Sequence, residues 1–401
     1  MPTHLPLGLG VVGAGRFATF LTDAVADLPD VEIRAITDRD REAAAVLAKK
    51  HEGWVCDSWH EVVRDPDVDV VVVATPPASH AEIASTALSM GRHVFCEKPA
   101  ATTAEDLDTL VAAAAASECV IVVDHVLRYN PLLAAVERLQ DEILGLPHRF
   151  LFENDASDED LHDDHWFWDE QRSGGIFVEH GVHFFDAAAM LLGRPVTSVQ
   201  ATSVRRRGDG PASGPVDLVS ATAQHGSDVL ATHTHSFTHA HRCERQLMRL
   251  DHGAAETRVD GWIPIEAVID LWTDDEGAAL CEALPSRAPE LLAVDGFRLA
   301  AKAAITVELL RDAADGRARG RGRHLSVPHH ARIGLTLGGP AAKSEMYTES
   351  VRAAMADLVR AVATGSRPRS GIEQAAAATA VALAATRAAA LGQVVDVTTS
   401  S

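Results

Sequence analysis

Cationic residues are scarce in this chain of 401 residues: 36 lysines and arginines face 57 aspartates and glutamates, giving a formal net charge of -21. Nucleic acids and anionic membrane surfaces need a positive footprint, so neither is expected as a partner. Cysteine is also sparse. The five, Cys56, Cys96, Cys119, Cys243 and Cys281, are odd in number and none stands in a Cys-x-x-Cys pair. That argues against a disulfide framework and for free thiols in a reducing compartment. No long uncharged apolar run offers a bilayer span. Residues 1–10 lack the basic start and cleavage site of a secretion signal, so a cytoplasmic location is expected. The exceptions to the acidic balance are Arg205-Arg206-Arg207 and the glycine-spaced stretch from Arg317 to Arg323, the latter reading as a solvated loop.

What is present is globular: 47% of residues are hydrophobic, and the length suggests about two domains. From Leu7 to Val123 short apolar runs alternate with helical stretches, and the valine run Val68 to Ala74 suits a strand covered on both faces. Repeated βαβ units imply a parallel, doubly wound sheet. After Leu127 the rhythm changes. Arg149–Glu153, Val196–Val204, Leu218–Ala223 and Asp228–His241 read as strands without crossover helices, with a hairpin connection over Gly208–Pro215. Two helices, Met346–Thr364 and Ile372–Leu391, close the chain. The expected class is therefore α/β. A Rossmann domain over 1–127 would precede an α+β domain over 128–401 with a large, open, mostly antiparallel sheet.

Gly13-Ala-Gly15-Arg-Phe-Ala18 lies between the first strand and the first helix. Gly13 permits the tight turn, Gly15 lets backbone approach a pyrophosphate, and Ala18 allows close helix–strand packing. Asp38 ends the second strand twenty residues later, where a carboxylate holds the adenosine ribose hydroxyls. Its charge opposes a 2′-phosphate and favours NAD. The adjacent Arg39 leaves NADP open.

Glu97-Lys98-Pro99 follows the strand His93–Cys96 and so sits at a carboxyl edge, where open α/β sheets bind ligands. Glu179-His180-Gly181-Val182-His183 follows the pair Gly174-Gly175. At helical spacing Glu179 and His183 share a face, so the carboxylate is expected to orient the imidazole, while His180 points elsewhere. His233, His235, His239 and His241 alternate around Phe237, which on one strand puts them on one side of the sheet. A metal site, a polyol-binding wall and a polar face at an oligomer contact all fit that pattern. With no carboxylate or thiolate at ligand spacing, no metal is assigned. Trp166 and Trp168 suit sugar stacking or core packing.

These motifs resemble the Gfo/Idh/MocA oxidoreductases, the group of glucose–fructose oxidoreductase and the inositol dehydrogenases. The resemblance rests on Gly13–Ala18, Ala74-Thr-Pro-Pro77 with His80, the stretch Ala87–Pro99, Arg128-Tyr-Asn-Pro131 and Gly174–Asp186. It implies a cofactor held by Gly13, Gly15, Arg16, Phe17, Asp38, Arg39, Thr75, Pro76, His80, Glu97 and Lys98. It further implies that Lys98 and His183 reach the reacting carbinol with Glu179 in support, and that Arg128, Asn130 and Trp166 lie near substrate. Glu179 stands where the family has aspartate. The implied activity is hydride transfer between the nicotinamide and a secondary alcohol of a sugar, sugar derivative or cyclitol, in a homodimer or homotetramer. A redox-neutral lyase, hydrolase or epimerase with tightly bound NAD, and a non-catalytic NAD- or sugar-sensing regulator, are the alternatives.

Overall fold

The structure, a computed structural model, describes residues 5–158, 161–162, 164–205, 214–310, 316–320 and 322–397. Arg206, Arg207 and most of the Gly208–Pro215 connection lie outside the described residues.

Six parallel strands form the first sheet: β1 (Leu7–Val12), β2 (Val31–Thr37), β3 (Trp54–Val55), β4 (Val70–Val73), β5 (His93–Cys96) and β6 (Ile121–Val123). Their order is β3-β2-β1-β4-β5-β6, so the winding reverses between β1 and β4 and opens a crevice at their carboxyl ends. Helices α1 (Arg16–Val25), α2 (Arg41–Lys50), α3 (Trp59–Arg64), α4 (His80–Ser89) and α5 (Ala104–Ala115) make the crossovers. Every residue of β4 is buried, as its four valines require of a strand between two helix layers.

The second half begins with α6 (Pro131–Leu139) and β7 (Arg149–Asp155), then α7 (Glu170–Ser173) and α8 (Val182–Leu192). Next come β8 (Val196–Arg205), β9 (Val216–His225), β10 (Val229–Ser236), β11 (Arg245–Asp251), β12 (Ala255–Asp260) and β13 (Glu266–Thr273). After α9 (Asp275–Leu291) follow β14 (Ala304–Leu310), β15 (Arg317–Gly320), β16 (Arg323–Ser326) and β17 (His329–Thr336). Helices α10 (Lys343–Thr364) and α11 (Ile372–Leu391) and the short β18 (Val395–Asp396) complete the described chain. Ten of these strands form one sheet, β14-β17-β13-β12-β11-β7-β10-β9-β8-β18, antiparallel except where β7 meets β10. The basic stretch from Arg317 is a two-stranded hairpin of β15 and β16 rather than a loop, although it remains largely exposed.

α10 and α11 return to the first sheet. α10 packs on α1, with Phe20 and Tyr347 stacked at 4.7 Å, and α11 packs between α5 and β8. Glu170–Leu192 and Ile372–Leu391 are long and apolar enough, by length and composition, to cross a bilayer, although neither is an uncharged run. Both lie against the protein core here, the first mostly buried.

β10 ends at Ser236, which corrects the expectation for the histidine run. His233 and His235 point inward and are fully buried among Phe150, Phe152, Phe184 and Phe185, whereas His239 and His241 lie beyond the strand. Among the described residues no three His, Cys, Asp or Glu side chains converge as a metal site. Neither buried imidazole has a hydrogen-bond partner, and burial holds both well below the usual histidine pKa. The unfolded chain therefore binds protons below about pH 6.5 that the folded chain refuses, so stability present above that pH is lost as pH falls. Each histidine contributes a slope of up to about 1.4 kcal/mol per pH unit. His233→Leu should flatten the fall of melting temperature on going from neutral pH to about pH 5. An equally steep fall in the variant would refute this origin.

Candidate active site

The crevice between β1 and β4 is built for a phosphate-bearing ligand. Gly13 has φ +109°, and a Cβ there would stand 2.4 Å from the Ala74 carbonyl oxygen, so only glycine brings the turn so near β4. Nothing lies within 4 Å of where a Gly15 Cβ would be, and α1 starts there without a side-chain cap. Its first N–H groups are thus free to meet an anion. Asp38 is pinned beside the turn: its Oδ2 accepts the Ala14 N–H at 2.7 Å and its Oδ1 the Asp40 N–H at 2.7 Å. A recess of about 410 Å³ opens next to it, lined in part by Ala14, Asp40 and Glu42. Arg16 and Arg39 are exposed and Phe17 is partly buried. Thr75 and Pro76 follow β4, and Thr75 Oγ1 lies 2.8 Å from Ser79 Oγ. His80 braces the site from below, its Nδ1 2.8 Å from the Pro99 carbonyl and its Nε2 2.7 Å from that of Thr75. These residues fit a dinucleotide.

Lys98 emerges from the end of β5. Its ammonium donates to the Glu179 carbonyl at 2.8 Å and to Glu179 Oε1 at 2.7 Å. Burial disfavours its charge, but Glu179 and Glu97 outweigh that and raise its pKa above the ordinary lysine value. Lys98 is thus a fixed cation at neutral pH. Phe177–Gly181 is a π-helical turn leading into α8, and that wider turn breaks the expected spacing. Glu179 consequently serves Lys98 and makes no hydrogen bond to His183, which corrects the predicted carboxylate–imidazole pair. Glu179→Gln should keep the fold, lower kcat/KM about tenfold and move the alkaline limb of its pH profile down, because the carboxylate is what raises Lys98. An unmoved limb would reject this role.

His183 lies in the first turn of α8 and is 8% exposed. Its Nδ1 is buried without a partner. Burial first, then the charge of Lys98, holds its pKa well below the usual value, so the ring is neutral at pH 7 and able to accept a proton. His125, just after β6, meets it edge-on at 6.3 Å. His180 packs instead against Phe184, His235 and Phe237. Near Lys98, burial pushes Glu97 up to about 7 against the opposing charge of Lys98. Burial and Glu97 raise Asp124, only 1% exposed and with neither oxygen partnered, well above the carboxylate range. This pair therefore retains a proton at neutral pH.

The remaining expectations divide. Arg128 Nε donates to Asp186 at 2.9 Å, fixing the helix that carries His183. Asn130 is a helix cap rather than a substrate ligand. Its Oδ1 accepts the Leu132 and Leu133 N–H groups, its Nδ2 donates to the Pro264 carbonyl, and it is 1% exposed. Among the described residues the ring beside Trp166 is that of His165, at 5.4 Å. The tryptophan beside His183 is Trp262, in the turn between β12 and β13, at 6.5 Å. It meets Tyr347 of α10 at 5.3 Å, and Lys343 Nζ lies 5.8 Å from its ring centre. Sequence reading missed this wall, which comes from elements far apart in the chain. A groove of about 470 Å³ between α5, α11 and β18 lies away from these groups.

Two family descriptions match the chain. Residues 7–125 fit the oxidoreductase family with an NAD-binding Rossmann fold, and residues 132–254 fit the GFO/IDH/MocA C-terminal domain. The chain belongs to the Gfo/Idh/MocA oxidoreductase family. Levoglucosan dehydrogenase of Pseudarthrobacter phenanthrenivorans is 29% identical over 243 residues, 53% of this chain and 62% of that one. Myo-inositol 2-dehydrogenase of Thermotoga maritima is 27% identical over 195 residues, 48% of this chain and 56% of the relative. The chain thus spans about half the length of the curated relatives it matches. A solved levoglucosan dehydrogenase in complex with NADH and levoglucosan superposes with TM-score 0.74 at 20% identity, covering 98% of this chain and 99% of that one. At that identity the likeness shows the shared fold.

Proposed function

We propose that this protein is an NAD-dependent dehydrogenase acting on a secondary alcohol of a sugar, sugar derivative or cyclitol. The observation that carries the reading is a Lys98 ammonium fixed by Glu179 at the carboxyl end of β5, near enough for its charge to help hold the buried His183 neutral. When bound, NAD supplies the hydride acceptor. His183 Nε2 takes the hydroxyl proton, and Lys98 holds the alcohol oxygen and stabilises the negative charge that develops on it. Glu179 fixes Lys98, and Arg128 fixes α8 through Asp186.

Asp38, with Asp40 and Glu42 beside the recess, disfavours a 2′-phosphate, so NAD is preferred to NADP. Relatives named as inositol and levoglucosan dehydrogenases support a polyol substrate. In this reading residues 1–127 bind the cofactor and 128–401 supply the substrate wall. Exposed Leu230, Val268 and Trp272 on the large sheet suit a homodimer or homotetramer. The five free thiols fit a cytoplasmic enzyme. The test is nicotinamide absorbance on mixing protein, NAD and a panel of sugars and cyclitols. Reduction with one substrate group is expected; a flat response across the panel would overturn the reading.

A further inference from the structure

Lys343 opens α10 one helical turn before Tyr347, so the two share a face. That face looks onto Trp262, which touches Tyr347 on one side and His183 on another, while Lys343 Nζ stands 5.8 Å from its ring centre. The ammonium is therefore two ring contacts from the imidazole, across a tryptophan platform of the kind that carries a sugar ring. Among the described residues Lys343 has no hydrogen-bond or ion-pair partner. Glu244 is the carboxylate whose field reaches it, but Glu244 Oε1 is engaged by the Ser157 N–H at 2.8 Å and the Ser157 hydroxyl at 2.6 Å. Packing around the ammonium lowers the Lys343 pKa, with Glu244 opposing, yet the residue stays exposed, so an anionic ligand can reach the ammonium without displacing a hydrogen-bonded partner.

We propose that Lys343 anchors a carboxylate on the substrate, making the polyol taken by this cleft an acidic one, such as a uronic acid, an aldonic acid or a carboxylated cyclitol. The inference rests on the dehydrogenase reading for the position of the reacting carbon at His183 and adds the substrate's charge. One ammonium balances a single negative charge. A dianionic phosphate would meet the field of Glu244, which favours carboxylate over phosphate.

The test is calorimetric binding of glucuronate and galacturonate, beside glucose and galactose, to the NADH-loaded protein and to Lys343→Gln. The wild-type protein should bind a uronate at least about tenfold more tightly than its neutral parent, and Lys343→Gln should erase that ratio. Neutral sugars bound as tightly as acids, no uronate bound, or a ratio that survives in the variant would each overturn the proposal. A uronate bound in a Lys343-dependent way but never oxidised would uphold the subsite and count against the dehydrogenase reading. Oxidation of neutral polyols without preference for acids would do the reverse.

Discussion

Lys98→Ala should lower kcat/KM by about a thousandfold while the protein still binds NAD through the Gly13–Gly15 turn. Lys98 is the cation held against Glu179 at the carboxyl end of β5, with its pKa raised, so its charge is available throughout the neutral range. Its removal takes away the group that stabilises charge on the alcohol oxygen, and with it the counter-charge for Glu97 and Glu179. Glu97 should then bind its proton more strongly, so the variant should be less stable at alkaline pH than at neutral pH. Lys98→Arg separates charge from geometry. It restores the cation and the stability but presents a planar fork where a single ammonium fits, so activity should recover only in part. Wild-type kcat/KM in Lys98→Ala, measured on folded protein, would remove Lys98 from the mechanism.

His183→Ala should have an effect of similar size, about a hundred- to ten-thousandfold in kcat, because a positioned base is lost. The two defects differ in their pH profiles. Folded His183 has a pKa well below 6.5, so the wild-type rate should hold down past pH 6.5 before falling on the acid side. In the variant that acid limb should vanish, and the residual rate should rise with hydroxide. A wild-type limb centred at or above the ordinary histidine value would mean that the ring is less buried than the structure has it. The group that titrates near neutrality is instead Glu97, at about 7, and a shallow change of rate there would report the Glu97–Asp124 pair.

The first sheet was legible in the sequence because its signals are local. A buried valine run, a glycine turn after one strand and a carboxylate after the next are each readable within a few residues. The second sheet was only half legible. β11, β12 and β13 alternate correctly, with Met248, Leu250 and Val259 buried, but their exposed faces are so charged that the pattern is faint. α9 contains Pro285 and Pro289, which argue against a helix from sequence alone. The site divides in the same way. Lys98 and His183 were found from motifs, but the partner of Glu179 was not, because a π-helical turn leaves no mark in residue spacing. Trp262 and Tyr347 are brought to His183 by long-range folding alone. The one available hint was scarcity: the chain has only two tyrosines, and both are drawn inward, Tyr129 onto Asp357 and Tyr347 into this wall.

The central claim is that hydrogen passes between a polyol carbon and the nicotinamide at Lys98 and His183. The most direct measurement is mass spectrometry of cofactor recovered after incubation with polyols deuterated at every carbon. The account predicts deuterium on the nicotinamide ring with the wild-type protein and none with His183→Ala under the same conditions. Unlabelled cofactor from the wild type across acidic and neutral polyols alike would contradict it.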